Sequence, residues 1–448
     1  MNMASFSPTL LKSNGSSLTS AKMMTMNRIT SSSSSPPPVK ISIPSQSTSL
    51  PIRSIPGSYG LPLLGPFVDR LDYSWFQGSD DFFRKRIEKN QSTVFRTNVP
   101  PSFPFFLANP NVVAVLDCKS FAHMFDMELV DKKNILVGDF MPSTKFTGDR
   151  RVCAYLDTTE PQHEQIKSFV MDILKRSSTI WIPTLTTLLD KMFDTIESQL
   201  PSGPVNYLVP IQKFNFSFLS PILPTVPITA FQPLVEIFLH SFPYPFFLVS
   251  NDYNKLYEFL EKEGKEVISR GQTEFNLSKE DAIHNLLFTL GFNAYGGFTI
   301  FFPSLLSALG SATSDVREKL RQEVREKTGS GGLTFRAVNE MELVQSFVYE
   351  TLRLNPPVAL QYGRARKDFN LSSHESVFDV KKDKGKELLT YLYWSNGPQN
   401  GTTSVSNKQC AGKDFVTLTA SLFLAHLFMR YDLVEVVDGS FSVLEKAK

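Results

Sequence analysis

The chain has 448 residues, of which 42% are hydrophobic and 38 are phenylalanine, enough for one large buried core or two ordinary ones. Its 46 basic and 44 acidic residues give a formal charge of +2, which gives no case for a nucleic-acid partner. The three cysteines exclude a disulfide scaffold and a multi-thiolate zinc site. No long uninterrupted apolar run is present, so we expect no membrane-spanning helix.

Residues 1–54 have the composition of a leader that targets a protein to an organelle. The segment contains no Asp or Glu, is rich in Ser and Thr and carries scattered basic residues; the first acidic residue is Asp69. This composition is typical of a transit peptide, and it cannot bury enough apolar area to fold, so we expect disorder. A generic disordered tail is the other interpretation that the composition allows.

From residue 55 to 448 the pattern is that of a single domain, mostly helical with small β-sheets. Turn residues at 56–62 are followed by short β-like runs at 92–96 and 112–116, and strand-like segments return near 358–380. Apolar residues three or four positions apart predict helices over 161–200, 251–270, 280–310, 314–327, 338–354 and 412–430. No internal repeat and no second charge regime divides this part of the chain.

Cys410 differs from the other cysteines in its surroundings. It lies in NKQCAGKD, residues 407–414, just before a long apolar helix. A thiol at a helix N-terminus meets donor N–H groups and the positive end of the helix dipole, which favour the thiolate. A single thiolate so placed suits an axial haem ligand, although a structural thiol or a nucleophilic cysteine also fits. Cys118 and Cys153 read as small buried hydrophobic residues.

A second feature is the segment from Glu350 to Arg353, which is followed by a Pro-Pro stop at 356–357. Glu and Arg three positions apart lie on one helix face and can pair. Such pairs are common on ordinary helices. The Pro-Pro stop and the lone thiol downstream make this one more specific.

Together these segments resemble the haem-thiolate cytochromes P-450, and among them the plant enzymes that rearrange fatty acid hydroperoxides. That group comprises hydroperoxide lyases, allene oxide synthases and divinyl ether synthases. The resemblance is carried by residues 407–414, by WSNGP at 394–398, by GFNAYGGF at 291–298 and by MPST at 141–144. It implies a mostly α fold with small β-sheets, the cytochrome P-450-like haem-thiolate fold, with haem b as the cofactor and Cys410 as the axial ligand of the iron. Glu350 and Arg353 would brace the core on the haem side.

The resemblance also assigns side chains to the haem propionates. Lys132, His163 and Lys167 correspond to family positions that hold them, and Arg364 and Lys408 are further candidates. His163 and Lys167 are four residues apart on a predicted helix, so both can reach one pair of carboxylates. Without the resemblance, Lys132 would be read as a solvated surface lysine.

Asn293 lies where oxygen-activating relatives carry an acid–Thr pair that delivers protons to bound dioxygen. An amide in an apolar pocket can orient a peroxide oxygen without supplying protons, which fits a substrate that already contains both oxygens. The resemblance therefore implies a catalytic Asn293, a polyunsaturated fatty acid hydroperoxide as substrate, and no need for O2 or a reductase partner. A buried Asn satisfied by the backbone is the plain alternative.

The choice of product is predicted to depend on Leu136, because allene oxide synthases carry Phe at this position. A ring can stabilise a carbon radical or cation and hold it for oxidation, and an aliphatic side chain gives less help. Residues 138–142 and 101–107 also resemble the lyases. We expect a chloroplast hydroperoxide lyase that forms a hemiacetal and releases a short aldehyde and an oxo-acid, with allene oxide synthase as the alternative and with 9- against 13-hydroperoxide preference left open.

Phenylalanine clusters fit an apolar substrate. The pairs at 301–302 and 246–247 can line an acyl channel or belong to the ordinary core, and residues 242–247 can contact the surface of a plastid membrane without spanning it.

Two segments of the family pattern look missing, which predicts an incomplete fold. Residues 383–387 run almost directly into 388–391, and the Arg that completes the network with Glu350 and Arg353 is absent. A helical stretch is also missing between residues 216 and 223. Either deletion removes support from the haem side, so a non-enzymatic, haem-poor truncated or splice form is the rival hypothesis.

Overall fold

The structure is a computed structural model, and it describes residues 53–98, 110–117, 120, 122–135, 149–176, 178–219, 246–248, 250–371 and 392–447. The leader up to residue 52, the segments 99–109 and 138–142, Cys118, Leu136, the MPST segment, residues 242–245 and the proposed deletion near 383–391 lie outside these residues. The deletion between 216 and 223 lies largely outside them as well.

Helices make up most of the described chain, and they follow the predicted periodicity closely. In chain order they are α1 Leu64–Leu71, α2 Ser79–Asn90, α3 Pro161–Arg176, α4 Ser178–Gln199, α5 Leu208–Leu219, α6 Ser250–Glu263, α7 Lys265–Phe275, α8 Lys279–Ser311, α9 Ser314–Thr328, α10 Phe335–Asn339, α11 Glu342–Leu354 and α12 Lys413–Arg430. Several predicted helices are divided in two, as 161–200 is by the break between α3 and α4. The prediction of a mostly helical chain with small sheets is confirmed.

Side-chain caps explain where the central helices begin. The Ser278 hydroxyl accepts a hydrogen bond from the Asp281 amide at 3.0 Å, one residue before α8, and Thr313 accepts from the Val316 amide at 3.3 Å before α9. Each cap satisfies one of the N–H groups that the first turn of a helix leaves without a partner.

Three small antiparallel sheets complete the described fold. The strands are β1 Val94–Asn98, β2 Asn111–Val115, β3 Val130–Asp131, β4 Val205–Asn206, β5 Arg364–Ala365, β6 Tyr431–Val437 and β7 Ser440–Lys446. They pair as β1–β2, as β3–β5 and in the order β4–β7–β6. Of the predicted strand region near 358–380, the described part contains only β5.

The hairpin β6–β7 was not predicted, although its sequence carries a signal for it. Asp438 and Gly439 both adopt positive φ, 47° and 77°, which is the requirement of a two-residue type I′ turn. Apolar residues at Leu433 and Val434 and the Asp-Gly dipeptide could have identified the hairpin from the sequence alone.

The core surrounds α8, which packs against α5, α11 and β6. Phe298, Phe301 and Phe302 are completely or almost completely buried, and the Phe302 ring stacks on Phe423 of α12 at 4.7 Å between centroids. The pair at 301–302 therefore belongs to the core and does not line a channel.

One helix among the described residues, Lys279–Ser311, is long and apolar enough to cross a membrane by length and composition. This result differs from the expectation of no such segment. In this fold its second half provides the buried phenylalanines described above, so the helix serves as a core element.

Candidate haem-thiolate site

The loop before α12 fixes the position of Cys410. The Cys410 amide donates to the Trp394 carbonyl at 3.1 Å. Gln409, which is buried, donates from Nε2 to the Pro398 carbonyl at 2.6 Å and accepts from the Thr403 hydroxyl at 3.1 Å. Hydrogen bonds on both sides of the cysteine thus hold the loop in one conformation.

Lys413, the first residue of α12, ties the same loop to the helix. Its Nζ atom is buried and donates to the carbonyls of Gln399 and Gly401 at 2.8 and 2.7 Å, and its amide donates to the Cys410 carbonyl at 3.3 Å. The sequence analysis missed this residue. A lysine in the first turn opposes the helix dipole, and that conflict is the signal that could have identified it.

Opposing effects act on the Cys410 thiol. Burial raises its pKa, while a backbone hydrogen bond from Gly412 and the charge of Lys167 lower it less strongly. Cys153 is free and partly buried beside a hydrophobic cluster, and burial raises the pKa of its thiol too.

Lys132, His163, Lys167 and Lys408 are all buried and lie close enough to influence one another electrostatically. Burial lowers the pKa of Lys132 to about 7 and that of Lys167 to about 8, and it also lowers the pKa of Lys408. Burial, together with the charges of Lys408 and Lys167, lowers the pKa of His163 to about 4, so its imidazole is neutral at pH 7. The reading of Lys132 as a solvated surface lysine is wrong.

These three lysines form no ion pair with a carboxylate among the described residues. Each Nζ donates to neutral oxygens instead: Lys132 to the Tyr362 carbonyl at 2.5 Å, Lys167 to Asn407 Oδ1 at 3.0 Å, and Lys408 to the carbonyls of Cys153 and Leu156 at 2.8 Å. Buried cations without anionic partners are costly, so this cluster is suited to an anionic ligand.

His163 adds two further groups without partners to the same place. Its side chain is fully buried, and neither ring nitrogen meets hydrogen-bond geometry with a described residue, although the backbone of Val405 is near enough to raise its pKa slightly. Because the charge of Lys167 acts on the Cys410 thiol, the cationic cluster and the thiol belong to one site. One soft ligand for a metal beside donors for two carboxylates fits the donor set that a haem requires.

The Arg364 side chain lies at the surface, although its backbone pairs with Asp131, the residue before Lys132. The side chain is 67% exposed and faces Asp131 at 3.6 Å on the neighbouring strand. Arg364 therefore differs from the buried lysines of the cluster in being exposed.

Asn293 lies in a π-helical segment, Phe288–Gly296, in the middle of α8. Such segments occur frequently at functional sites. The Asn293 side chain is exposed, so it is not the buried asparagine of the alternative, and it is not enclosed in an apolar pocket as expected either. Phe298 contacts Phe415 of α12 at 5.8 Å between ring centroids, which brings this part of α8 close to the helix that follows Cys410.

The predicted pair between Glu350 and Arg353 is confirmed. Arg353 Nε and Nη2 donate to the two Glu350 carboxylate oxygens at 2.8 and 2.7 Å. Both side chains are about half exposed, so this ion pair lies at the surface of α11. Leu136 lies outside the described residues.

Comparison with known proteins identifies the class. The sequence model of the cytochrome P450 family matches residues 312–394. The chain is 55% identical over 462 residues to the fatty acid hydroperoxide lyase, chloroplastic, of Solanum lycopersicum, covering 89% of this chain and 97% of that protein. It is 50% identical over 468 residues to the linolenate hydroperoxide lyase, chloroplastic, of Arabidopsis thaliana, covering 90% and 95%.

An allene oxide synthase, chloroplastic, of Linum usitatissimum is less similar, at 39% identity over 471 residues, with 92% of this chain and 87% of that protein covered. The chain belongs to the cytochrome P450 family, in the branch of the plant hydroperoxide lyases and allene oxide synthases. Within that branch it is nearer to the lyases.

Proposed function

We propose that this protein is a fatty acid hydroperoxide lyase of the chloroplast. The observation that carries the proposal is the identity of 50–55% to two proteins named hydroperoxide lyases, against 39% to the allene oxide synthase. The substrates would be 13-hydroperoxides of linoleic and linolenic acid, and the products a short aldehyde and an oxo-acid. The leader over residues 1–54 would be the plastid transit peptide, and residues 55–448 the single catalytic domain.

Haem b fits the residues of the site. Cys410 would be the axial ligand, and Lys132, His163, Lys167 and Lys408 would hold the propionates, since two carboxylates supply the anions that the buried lysines lack. When bound, the haem supplies the iron that splits the O–O bond of the substrate homolytically. Lys413 would keep the cysteine loop against the start of α12 during this step.

Asn293 would orient the peroxide by donating a hydrogen bond to one of its oxygens. The π segment around it, FTLGFNAYG, contains no carboxylate, so it lacks the acid–Thr pair that delivers protons to dioxygen in oxygen-activating relatives. A substrate that brings both oxygens needs neither O2 nor electrons from a reductase, which supports a reaction without either.

Leu136 would favour the lyase product, because an aliphatic side chain stabilises the carbon radical of the substrate less than a ring does. After homolysis the substrate alkoxyl radical would attack the neighbouring double bond and rearrange to a carbon radical. Return of the hydroxyl group split off by homolysis would then give a hemiacetal, which separates into aldehyde and oxo-acid. On this proposal, Leu136→Phe should shift products towards allene oxide, detected as ketols.

A second candidate is a haem-poor, non-enzymatic form. The alignment with the tomato relative has 462 positions, more than the 448 residues of this chain, yet it covers only 89% of the chain. Such an alignment contains gaps on the side of this chain, which supports the two internal deletions proposed from the sequence.

The test mixes the full chain, supplied with haem, with the 13-hydroperoxide of linolenic acid under anaerobic conditions. We expect a Soret band and a short aldehyde with its oxo-acid. Ketols would identify an allene oxide synthase instead. A protein that shows no Soret band would be the haem-poor form, and in that case the proposed function is wrong.

A further inference from the structure

Asp157 is a buried carboxylate that the haem site described above does not use. The residue is 1% exposed and directly follows Leu156, whose carbonyl accepts a hydrogen bond from Lys408 Nζ at 2.8 Å. A carboxylate is rarely buried to this extent unless charged or polar partners hold it. The partners of Asp157 therefore show what the carboxylate does in this fold.

Four donors point at the two oxygens of Asp157. Oδ2 accepts a hydrogen bond from the backbone amide of Lys132 at 3.0 Å. Oδ1 accepts from the amide and the hydroxyl of Thr159 at 3.1 and 2.9 Å and from Arg366 Nη2 at 2.7 Å. Burial raises the pKa of Asp157, but these hydrogen bonds lower it by more, so the pKa lies well below its usual value. Asp157 is therefore an anion at neutral pH, paired with Arg366.

The bonds of Asp157 hold both ends of the small sheet β3–β5. Lys132 directly follows β3 and Arg366 directly follows β5, and because the two strands are antiparallel these residues lie beyond opposite ends of the sheet. The Arg366 guanidinium reaches back to the carboxylate, while its amide donates to the Leu129 carbonyl at 2.8 Å. One side chain thus fixes the backbone of Lys132 relative to the sheet and to the segment that binds Lys408.

A fixed backbone matters for Lys132 because its long side chain has four rotatable bonds. Its Nζ atom reaches the Tyr362 carbonyl at 2.5 Å beside Gly363, where an added Cβ would lie 3.3 Å from Nζ. The ammonium therefore lies in a narrow space, and it reaches that space only from a backbone held in the right place.

The charge of Asp157 also reaches two other members of the cluster. Burial lowers the pKa of His163 and that of Lys408, and the charge of Asp157 acts on both in the opposite direction. Asp157 thus influences three of the four residues, one through a hydrogen bond to its backbone and two through its charge.

We propose that Asp157 is a positioning residue of the haem site, which holds the Lys132 ammonium in the place where it binds a propionate. Asp157 acts through the Lys132 amide, because that hydrogen bond fixes the start of the lysine side chain. The inference rests on the proposed function in one respect: it takes haem as the ligand of the cluster.

Asp157→Asn separates the bond to Lys132 from the other bonds of the carboxylate. Oδ1 faces three donors and Oδ2 faces one, so the amide oxygen of Asn takes the Oδ1 place and its NH2 group meets the Lys132 amide, donor against donor. The matched control is Asp131→Asn, one residue before Lys132. The Asp131 carboxylate faces the same Arg366 at 4.0 Å but accepts its hydrogen bond from the Lys133 amide at 2.8 Å.

Amide hydrogen exchange in the haem-free full chain measures the bond directly. We expect exchange at the Lys132 amide to be at least about tenfold faster in Asp157→Asn than in the wild type, and unchanged in Asp131→Asn. The measurement on the wild type also stands alone. A Lys132 amide that exchanges as freely as that of an unfolded peptide would overturn the proposal, even if Asp157→Asn fails to fold.

Haem titration at the Soret band measures the consequence for the site. Asp157→Asn should weaken haem binding by about fivefold to tenfold, and Asp131→Asn should bind haem like the wild type. In the Lys132→Met background, Asp157→Asn should change the affinity by less than about twofold, because the lysine through which it acts is gone. A residue that only stabilises the fold would weaken haem binding equally in both backgrounds.

Two results of the titration would overturn the proposal: an unchanged haem affinity in Asp157→Asn, or an equal loss with and without Lys132. Turnover of the 13-hydroperoxide is measured on the same samples. Coupling between Asp157 and Lys132 without aldehyde formation would leave the positioning role in place and remove the proposed function. Aldehyde formation without coupling would remove only the positioning role.

Discussion

Replacement of Lys132 by methionine should stabilise the haem-free protein while weakening its binding of haem. Lys132 is 4% exposed, its ammonium has no carboxylate partner among the described residues, and its pKa is lowered from 10.5 to about 7 by burial and by the charge of Lys408. A depression of this size costs about 4 kcal/mol of folding free energy at pH 7. The substitution also removes the hydrogen bond to the Tyr362 carbonyl, which lowers the free energy of unfolding by about 1 kcal/mol. The flexible methionine fills similar space, so we expect a net gain of about 2–3 kcal/mol.

The pH dependence gives an independent check of the same reasoning. Between pH 7 and 10.5 the folded protein binds fewer protons at Lys132 than the unfolded chain does, so the free energy of unfolding of the wild type rises with pH across this window. Lys132→Met should lack this part of the rise. On the proposed assignment the variant would lose a charge-assisted bond to a haem propionate, and its affinity for haem should fall by about tenfold or more.

Urea denaturation of the haem-free protein at pH 7 and pH 9 measures both effects, and haem titration followed at the Soret band measures the affinity. Lys213→Met, at an exposed position on α5, is the control, with an expected change within about 0.5 kcal/mol. A Lys132→Met protein that is less stable than the wild type at pH 7 would refute the claim that burial of this lysine without an anionic partner destabilises the haem-free protein.

Three further changes give contrasting results. Gly310→Ala should destabilise the protein by about 1–3 kcal/mol in thermal or urea denaturation, because a new Cβ would lie 2.6 Å from the Val436 carbonyl, whereas Gly297→Ala, in open space on the same helix, should be neutral or stabilising. Cys410→Ser should abolish the thiolate Soret spectrum, and an unchanged spectrum would contradict the ligand assignment. Asn293→Leu should keep that spectrum but lower turnover by about tenfold to a hundredfold, and normal turnover would remove its catalytic role.

The helices and the cysteine loop could be predicted because their signals are local. The apolar period over 280–310 and 412–430 determines α8 and α12, and the lone cysteine before a long apolar helix identified the site. The Ser278 hydroxyl caps the amide of Asp281, three residues further on, and the turn of the unpredicted hairpin needs only the two residues Asp438 and Gly439. Interactions between residues so close in the chain can be read from the sequence itself.

Tertiary structure decided which charges are buried and which apolar side chains are exposed. From the sequence, Lys132 is an ordinary lysine without the family resemblance; it becomes buried because its ammonium meets a carbonyl 230 positions away. Lys413 has its role only because the loop carrying Gln399 folds over its side chain. The outward direction of Leu64 depends on Asp69 binding residues of β1. Desolvation depends on contacts between distant parts of the chain, and no local pattern contains that information.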